Sequence, residues 1–213
     1  MTTHWITLAS GRDHFLTGPE ACLPSNVLTL AEIAHSLAQL NRYTGHALRP
    51  YSVAEHSLLV CDIVRGMGLG PHAQRAALLH DAHEAITGDM ASPIKWAVGS
   101  TWATFEDQQV RAVRRALGLQ TAFTAYRLAI KQADLLALAT ERQSLTRWRG
   151  GVNADWPVID TEGHRHQPLA MDLNNAARAA QPWTHWRDTF TQRHADLCAA
   201  CAVLPTTPDE VPA

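Results

Sequence analysis

The chain has 213 residues, of which 46% are apolar and 18% charged, and its formal net charge is −2. That size and balance suit a folded protein with a sizeable core and exclude a disordered chain. The near-neutral charge leaves no global basic field for wrapping nucleic acid, and no apolar run reaches the roughly 18 residues of a membrane span.

The opening segment Trp5–Phe15 alternates in polarity and turns at Ser10-Gly11-Arg12, which predicts a short β-hairpin. It lacks the charged-then-apolar order of an export signal. Together with only four cysteines, this points to a cytoplasmic protein without a disulfide framework. Thr17 to Ser25, with Gly18, Pro19 and Pro24, reads as loop. Thr29 and Glu32 then have capping-box spacing and open a helix whose apolar face is Leu30, Ile33, Ala34, Leu37 and Leu40. Asn41 to Pro50 is a polar connection, and a second capping box, Ser52 with Glu55, opens a helix to about Arg65.

After the glycines at 66, 68 and 70, Pro71 starts a third helix that is expected to run to about Ile86 and to stop near Gly88. A fourth helix is expected over about Thr101–Leu117, with Gly118 as its C-cap. A fifth covers about Ala122–Trp148, apolar at Leu128, Ala129, Ala133, Leu136 and Ala137. Arg149 to Pro168 is either a long loop or a small hairpin, and helix returns from about Leu169 to Ala200 with a break at Pro182. The whole reads as one mostly α-helical domain over residues 1–204, followed by a proline-rich, disordered tail over 205–213.

Twelve histidines are the unusual entry in the composition. In the third helix, His80 and Asp81 interrupt an apolar run and Glu84 follows about one turn later, within reach of whatever they hold. His56 sits on the preceding helix between Val53 and Leu59, and Asp134 on the fifth helix between Ala133 and Leu135. Each has an ordinary explanation alone: His80-Asp81 as a surface pair, His56 as a hydrogen-bonded core histidine, Glu84 as an exposed helix glutamate. A charged aspartate in apolar surroundings is nonetheless costly unless it is paired or bound to a cation.

The joint pattern resembles the HD-domain phosphohydrolase superfamily, whose signature is a His, a later His-Asp pair and a further Asp: here His56, His80-Asp81 and Asp134. Three segments resemble its 5′-deoxynucleotidase (YfbR-like) branch. They are Asn41-Arg42-Tyr43 with Ser52 to Leu58, His80 to Asp89 followed by Pro93-Ile94-Lys95, and Lys131 to Asp134. The likeness spans about Leu30 to Leu145.

It implies an HD-type helical bundle and one divalent ion held by His56, His80, Asp81 and Asp134. Two imidazoles and two carboxylates suit a transition ion (Mn, Co, Ni, Fe or Zn) rather than Mg or Ca. The resemblance also implies Glu84 and Asp89 as catalytic groups, with Arg42, Tyr43 and Lys95 at the substrate. Tyr43 stands where that branch typically has tryptophan, and its hydroxyl adds a donor near the sugar.

The expected activity is a 5′-nucleotidase on a (deoxy)nucleoside monophosphate. The alternative is a triphosphohydrolase, because Ile6 to Phe15 and Arg42 to His46 also resemble the compact phage-type dATP triphosphohydrolases. A nucleotide-sensing module and a nuclease come behind these; a sensor has no need of Glu84, and no basic stripe is present for a nuclease. The family tendency implies a homo-oligomer acting on a small-molecule nucleotide, with no membrane or nucleic-acid partner. Cys198 and Cys201 have metal-ligand spacing but no second pair, so packed thiols are expected there, and His164 and His166 are expected to be exposed.

Overall fold

The computed structural model describes residues 2–163 and 165–203; the expected tail and His164 lie outside them. Among the described residues, one two-stranded antiparallel sheet precedes ten α-helices, and 61% of those residues are helical. In the hairpin, β1 (Trp5–Thr7) pairs with β2 (Asp13–Phe15), Trp5 opposite Phe15. Arg12 in its turn reaches the carbonyls of Ser25 and Val27 and the Glu32 carboxylate, which fastens the hairpin to the first helix. A 3₁₀ turn at Pro19–Cys22 lies within the stretch expected to be loop.

Helix α1 (Leu30–Gln39) begins with the expected reciprocal capping box of Thr29 and Glu32. Helix α2 (Val53–Gly66) begins with half of one. Ser52 accepts from the Glu55 amide, but the Glu55 carboxylate is fully buried and takes Arg49 at 2.6 and 2.8 Å and Arg178 at 2.9 Å instead. Two guanidinium partners outweigh one backbone amide for a carboxylate removed from water. α2 is buried on nearly every side from Val53 to Val60, so it is the central helix.

The third helix is shorter than its pattern suggests. α3 (Pro71–Leu78) ends at Leu79, and residues 79–83 continue as successive i to i+3 turns into the single-turn helix α4 (Glu84–Thr87). The expected continuous helix to Ile86 is therefore broken at the His-Asp pair. Gly88, at φ 74°, ends α4.

A helix not foreseen, α5 (Ser92–Val98), leads into α6 (Ser100–Ala116), with Gly118 at φ 64° just after it. The long α7 (Gln120–Leu145) buries Phe123, Ile130, Ala133 and Ala137, whereas Leu128, expected on the apolar face, is 76% exposed. Among the described residues of 149–168 there is no strand; the short helix α8 (Pro157–Asp160) stands where the hairpin was possible. Residues 169–175 are not helical, and α9 (Ala176–Ala179) and α10 (Trp183–Val203) flank the expected break at Pro182. The buried side chains of α1, α2, α3, α7 and α10 form the core. No helix among the described residues is long and apolar enough to cross a membrane.

Candidate metal centre

Three parts of the fold meet beside α2. The helix carries His56, fully buried; the turns after α3 carry His80 and Asp81; α7 carries Asp134. Donor atoms of His56, His80 and Asp134 all lie within 4.8 Å of one another, a group able to hold a metal ion. Asp81 joins it, with Oδ2 3.0 Å from His80 Nε2 and 3.5 Å from His56 Nε2. The break at Leu79 is what makes this possible. There residues 79–83 leave the regular α-helical path, and His80 Nε2 and Asp81 Oδ2 stand 3.0 Å apart.

The two imidazoles fit an ion in their proton arrangement as well as their position. His56 Nδ1 lies 2.6 Å from Glu141 Oε1, and His80 Nδ1 lies 2.8 Å from the Ala77 carbonyl. Both partners accept only, so each Nδ1 carries the hydrogen and donates it. In a neutral ring the Nε2 lone pairs then face each other at 3.3 Å, with two carboxylates alongside. That arrangement asks for a positive charge at the shared point, and the N₂O₂ donor set suits a divalent transition ion.

The electrostatics agree. Burial opposes a proton on His56, but Glu141, Asp134 and Asp81 together raise its pKa well above the usual imidazole value. Burial would raise Asp81 and Asp134, yet the two imidazoles hold both below the usual carboxylate range.

Glu141, two helical turns beyond Asp134 on α7, is the residue that sequence reasoning missed. It is fully buried, and its two oxygens accept from four groups: His56 Nδ1 and the Tyr51 hydroxyl (3.0 Å) on Oε1, the Tyr43 hydroxyl (2.7 Å) and Arg42 Nε (3.2 Å) on Oε2. These donors keep it ionised at a pKa of about 2 despite burial. The i+7 spacing from Asp134 was the one available signal, because it places both carboxylates on one face of the helix.

Asp81 and Asp134 open into a cavity of about 860 Å³, which Arg42, Tyr43, Glu84, Asp89 and Lys95 also line. The structure thus brings every expected site residue to one place, but in altered states. Arg42 is not a free cation: it pairs with Glu141 and lies 3.9 Å from Asp81. Lys95 is bound at 2.6 Å by Glu106 of α6, which also lies 3.6 Å from His83. Lys131, also on the cavity, pairs with Asp134 at 3.0 Å.

The Tyr43 hydroxyl spends its hydrogen on Glu141, so the extra donor expected near a sugar is already committed. Tyr43 and Thr44 both adopt positive φ, 58° and 53°, strain of the kind that holds a loop in a defined pose at a binding site. Glu84 is buried, and its Oε2 has no hydrogen-bond partner among the described residues. Burial, with Asp81 and Asp89 nearby, raises its pKa well above the ordinary range. Asp89 is raised for the same reasons, burial first.

Residues set aside from the site lie apart from this cluster. His35 bonds to Gln39 and meets the Trp183 ring edge-on, Trp186 packs on the core, and Cys198 contacts His194 as a free thiol. Half-buried His166 bonds through its amide to the Ile159 carbonyl, against the expected exposure.

No family model matches the chain. It is 36% identical over 199 residues to an uncharacterized protein of Rhodobacter capsulatus, covering 91% of this chain and 95% of the relative. It is 32% identical over 147 residues to the uncharacterized protein YfdR of Escherichia coli, covering 67% and 76%.

Proposed function

The chain belongs to the same family as these two bacterial proteins, and we propose that it is an HD-type, metal-dependent phosphohydrolase acting on nucleotides. The observation that carries this assignment is the convergence of His56, His80, Asp81 and Asp134 at a cavity that Glu84, buried and with an unpartnered Oε2 among the described residues, also lines.

A divalent ion held by these four residues would polarise a phosphoryl oxygen and lower the pKa of water. The chain supplies the rest. Arg42, pinned by Glu141 and aimed into the cavity, holds the phosphoryl oxygens. Glu84 places a carboxyl proton in a site shielded from water. It donates that proton to the ester oxygen as the P–O bond breaks, while water adds to phosphorus and leaves nucleoside and inorganic phosphate. Asp89 faces the same space and accepts the proton released by the attacking water.

The charge balance favours a monophosphate. Among the described residues, the lysines and arginine that line the cavity are Arg42, Lys95 and Lys131, and each is already paired with a carboxylate. A triphosphate tail needs free cations beyond the first phosphorus, and a monoester does not. The assigned reaction is therefore a 5′-nucleotidase.

The test loads the purified protein in turn with Mn, Co, Ni, Fe and Zn and offers nucleoside mono-, di- and triphosphates. Inorganic phosphate from monophosphates is expected. Release of intact triphosphate would move the assignment to a triphosphohydrolase, and no release with any ion would reject phosphohydrolysis.

A further inference from the structure

The wall of the cavity away from α2 is made by a segment that the sequence pattern leaves without a role. Trp148 and Trp156 both line the cavity, one on each side of the turn at 149–155. Both are half-buried, and both are held. Trp148 Nε1 donates to the Ala154 carbonyl at 2.9 Å, and the Trp156 amide donates to Asp160 at 2.7 Å. Arg142, ion-paired with Asp160, lies 3.8 Å over the Trp148 ring and 5.4 Å from the Trp156 ring. The Tyr43 ring stands 6.0 Å from Trp156, with its hydroxyl on the same Glu141 that bonds His56. Tyr43, Trp156 and, across Arg142, Trp148 thus place aromatic rings along one wall of the cavity, starting beside the Glu141 that bonds His56.

The Trp148 indole is fixed by its hydrogen bond to a backbone carbonyl and by the stacked Arg142, while Trp156 is anchored through its backbone amide. Such faces accept flat aromatic groups at little conformational cost. A phosphate bound at Arg42 would direct its organic group along this wall. The polar side chains beside the indoles, Asn153 and Asp155, can bond to the edge of a heterocycle.

From this we infer that Trp148 and Trp156 form a nucleobase-stacking subsite, which makes a base-bearing phosphomonoester the substrate in preference to a bare sugar phosphate. The inference deepens the nucleotide reading above and rests on it.

The experiment measures binding and turnover by the full-length protein with deoxyadenosine 5′-monophosphate, adenosine and ribose 5-phosphate. Wild type should prefer the nucleotide to ribose 5-phosphate in KM. Trp156→Leu should weaken nucleotide and nucleoside binding by about 5–100-fold, the range for losing one stacked base, while ribose 5-phosphate binding shifts far less. Trp156→Phe should restore most of the loss, and Trp148→Leu serves as the second variant if Trp156→Leu does not fold.

Equal loss for all three ligands would show a structural role and overturn the subsite, as would no loss at all. Wild-type hydrolysis of phosphomonoesters without preference for a base would also overturn it and leave phosphohydrolysis standing. Tryptophan-dependent nucleotide binding without any phosphate release would do the reverse.

Discussion

Glu141→Gln tests the metal centre through a residue that touches neither ion nor substrate. The substitution keeps shape but replaces one acceptor oxygen by an NH₂ donor, and each carboxylate oxygen accepts two hydrogen bonds. If the NH₂ stands at the Oε2 position, the Tyr43 hydroxyl can rotate to accept, but Arg42 Nε–H cannot. If it stands at the Oε1 position, Tyr51 can rotate, and His56 must move its hydrogen to Nε2 and lose the lone pair it offers the ion.

Either way Arg42 loses its nearest counter-charge and keeps only Asp81 at 3.9 Å. Removing one partner of a buried pair costs about 3–5 kcal/mol. Because Asp81 remains and Arg42 borders the cavity, we expect roughly 2–4 kcal/mol by that measure. Metal affinity should fall about 10–100-fold, as for other groups that orient a ligand imidazole.

Urea unfolding and calorimetric Mn titration on the same preparations read both effects. Tyr51→Phe is the control: it removes one donor, leaves His56 oriented, and should cost about 1 kcal/mol with metal affinity unchanged. A Glu141→Gln protein within about 0.5 kcal/mol of wild type, the spread of an ordinary surface change, and with unaltered Mn affinity would refute the network.

Asp81→Ala should lose bound metal and turnover together, measured by metal analysis of the purified protein; full metal content would mean that His56, His80 and Asp134 suffice. Glu84→Gln mimics the protonated acid, so metal content and melting temperature should hold while turnover drops about 10²–10⁴-fold. Near wild-type rate would pass the proton role to Asp89. Glu32 is held at a pKa of about 2, against a usual 4.5, by Ser10, Thr29 and Arg12 working against burial. Its folded value is depressed, so its contribution is present above pH 4.5 and fades as pH falls towards 2. Glu32→Gln should therefore be about 1–2 kcal/mol less stable than wild type at pH 7, and the two urea curves should converge by about pH 2–3. A gap that persists at low pH would show that charge is not the cause.

Local chemistry explains what was legible in the sequence. The capping box of Thr29 and Glu32, the hairpin turn, the helix order and the glycines after α4 and α6 depend on residues a few positions apart. Propensity and spacing therefore reveal them. His56, His80-Asp81 and Asp134 were legible for a different reason: each alone has an ordinary explanation, and only their joint resemblance to the HD-domain signature marked them as a ligand set.

Tertiary packing decided the rest. Glu141 gains its role from Arg42 and His56, 99 and 85 residues away in the chain, and only its i+7 spacing from Asp134 hints at that locally. The break after Leu78 goes against a run that propensity would continue as helix, because residues 79–83 complete the cluster instead. Glu55 forsakes its capping partner for Arg178, which lies 123 residues on. Trp148 and Trp156 become a wall only when Arg142 and Asp160 fold their turn against the cavity. In each case one long-range charge or contact, strengthened by removal from water, outweighs the local preference that a sequence displays.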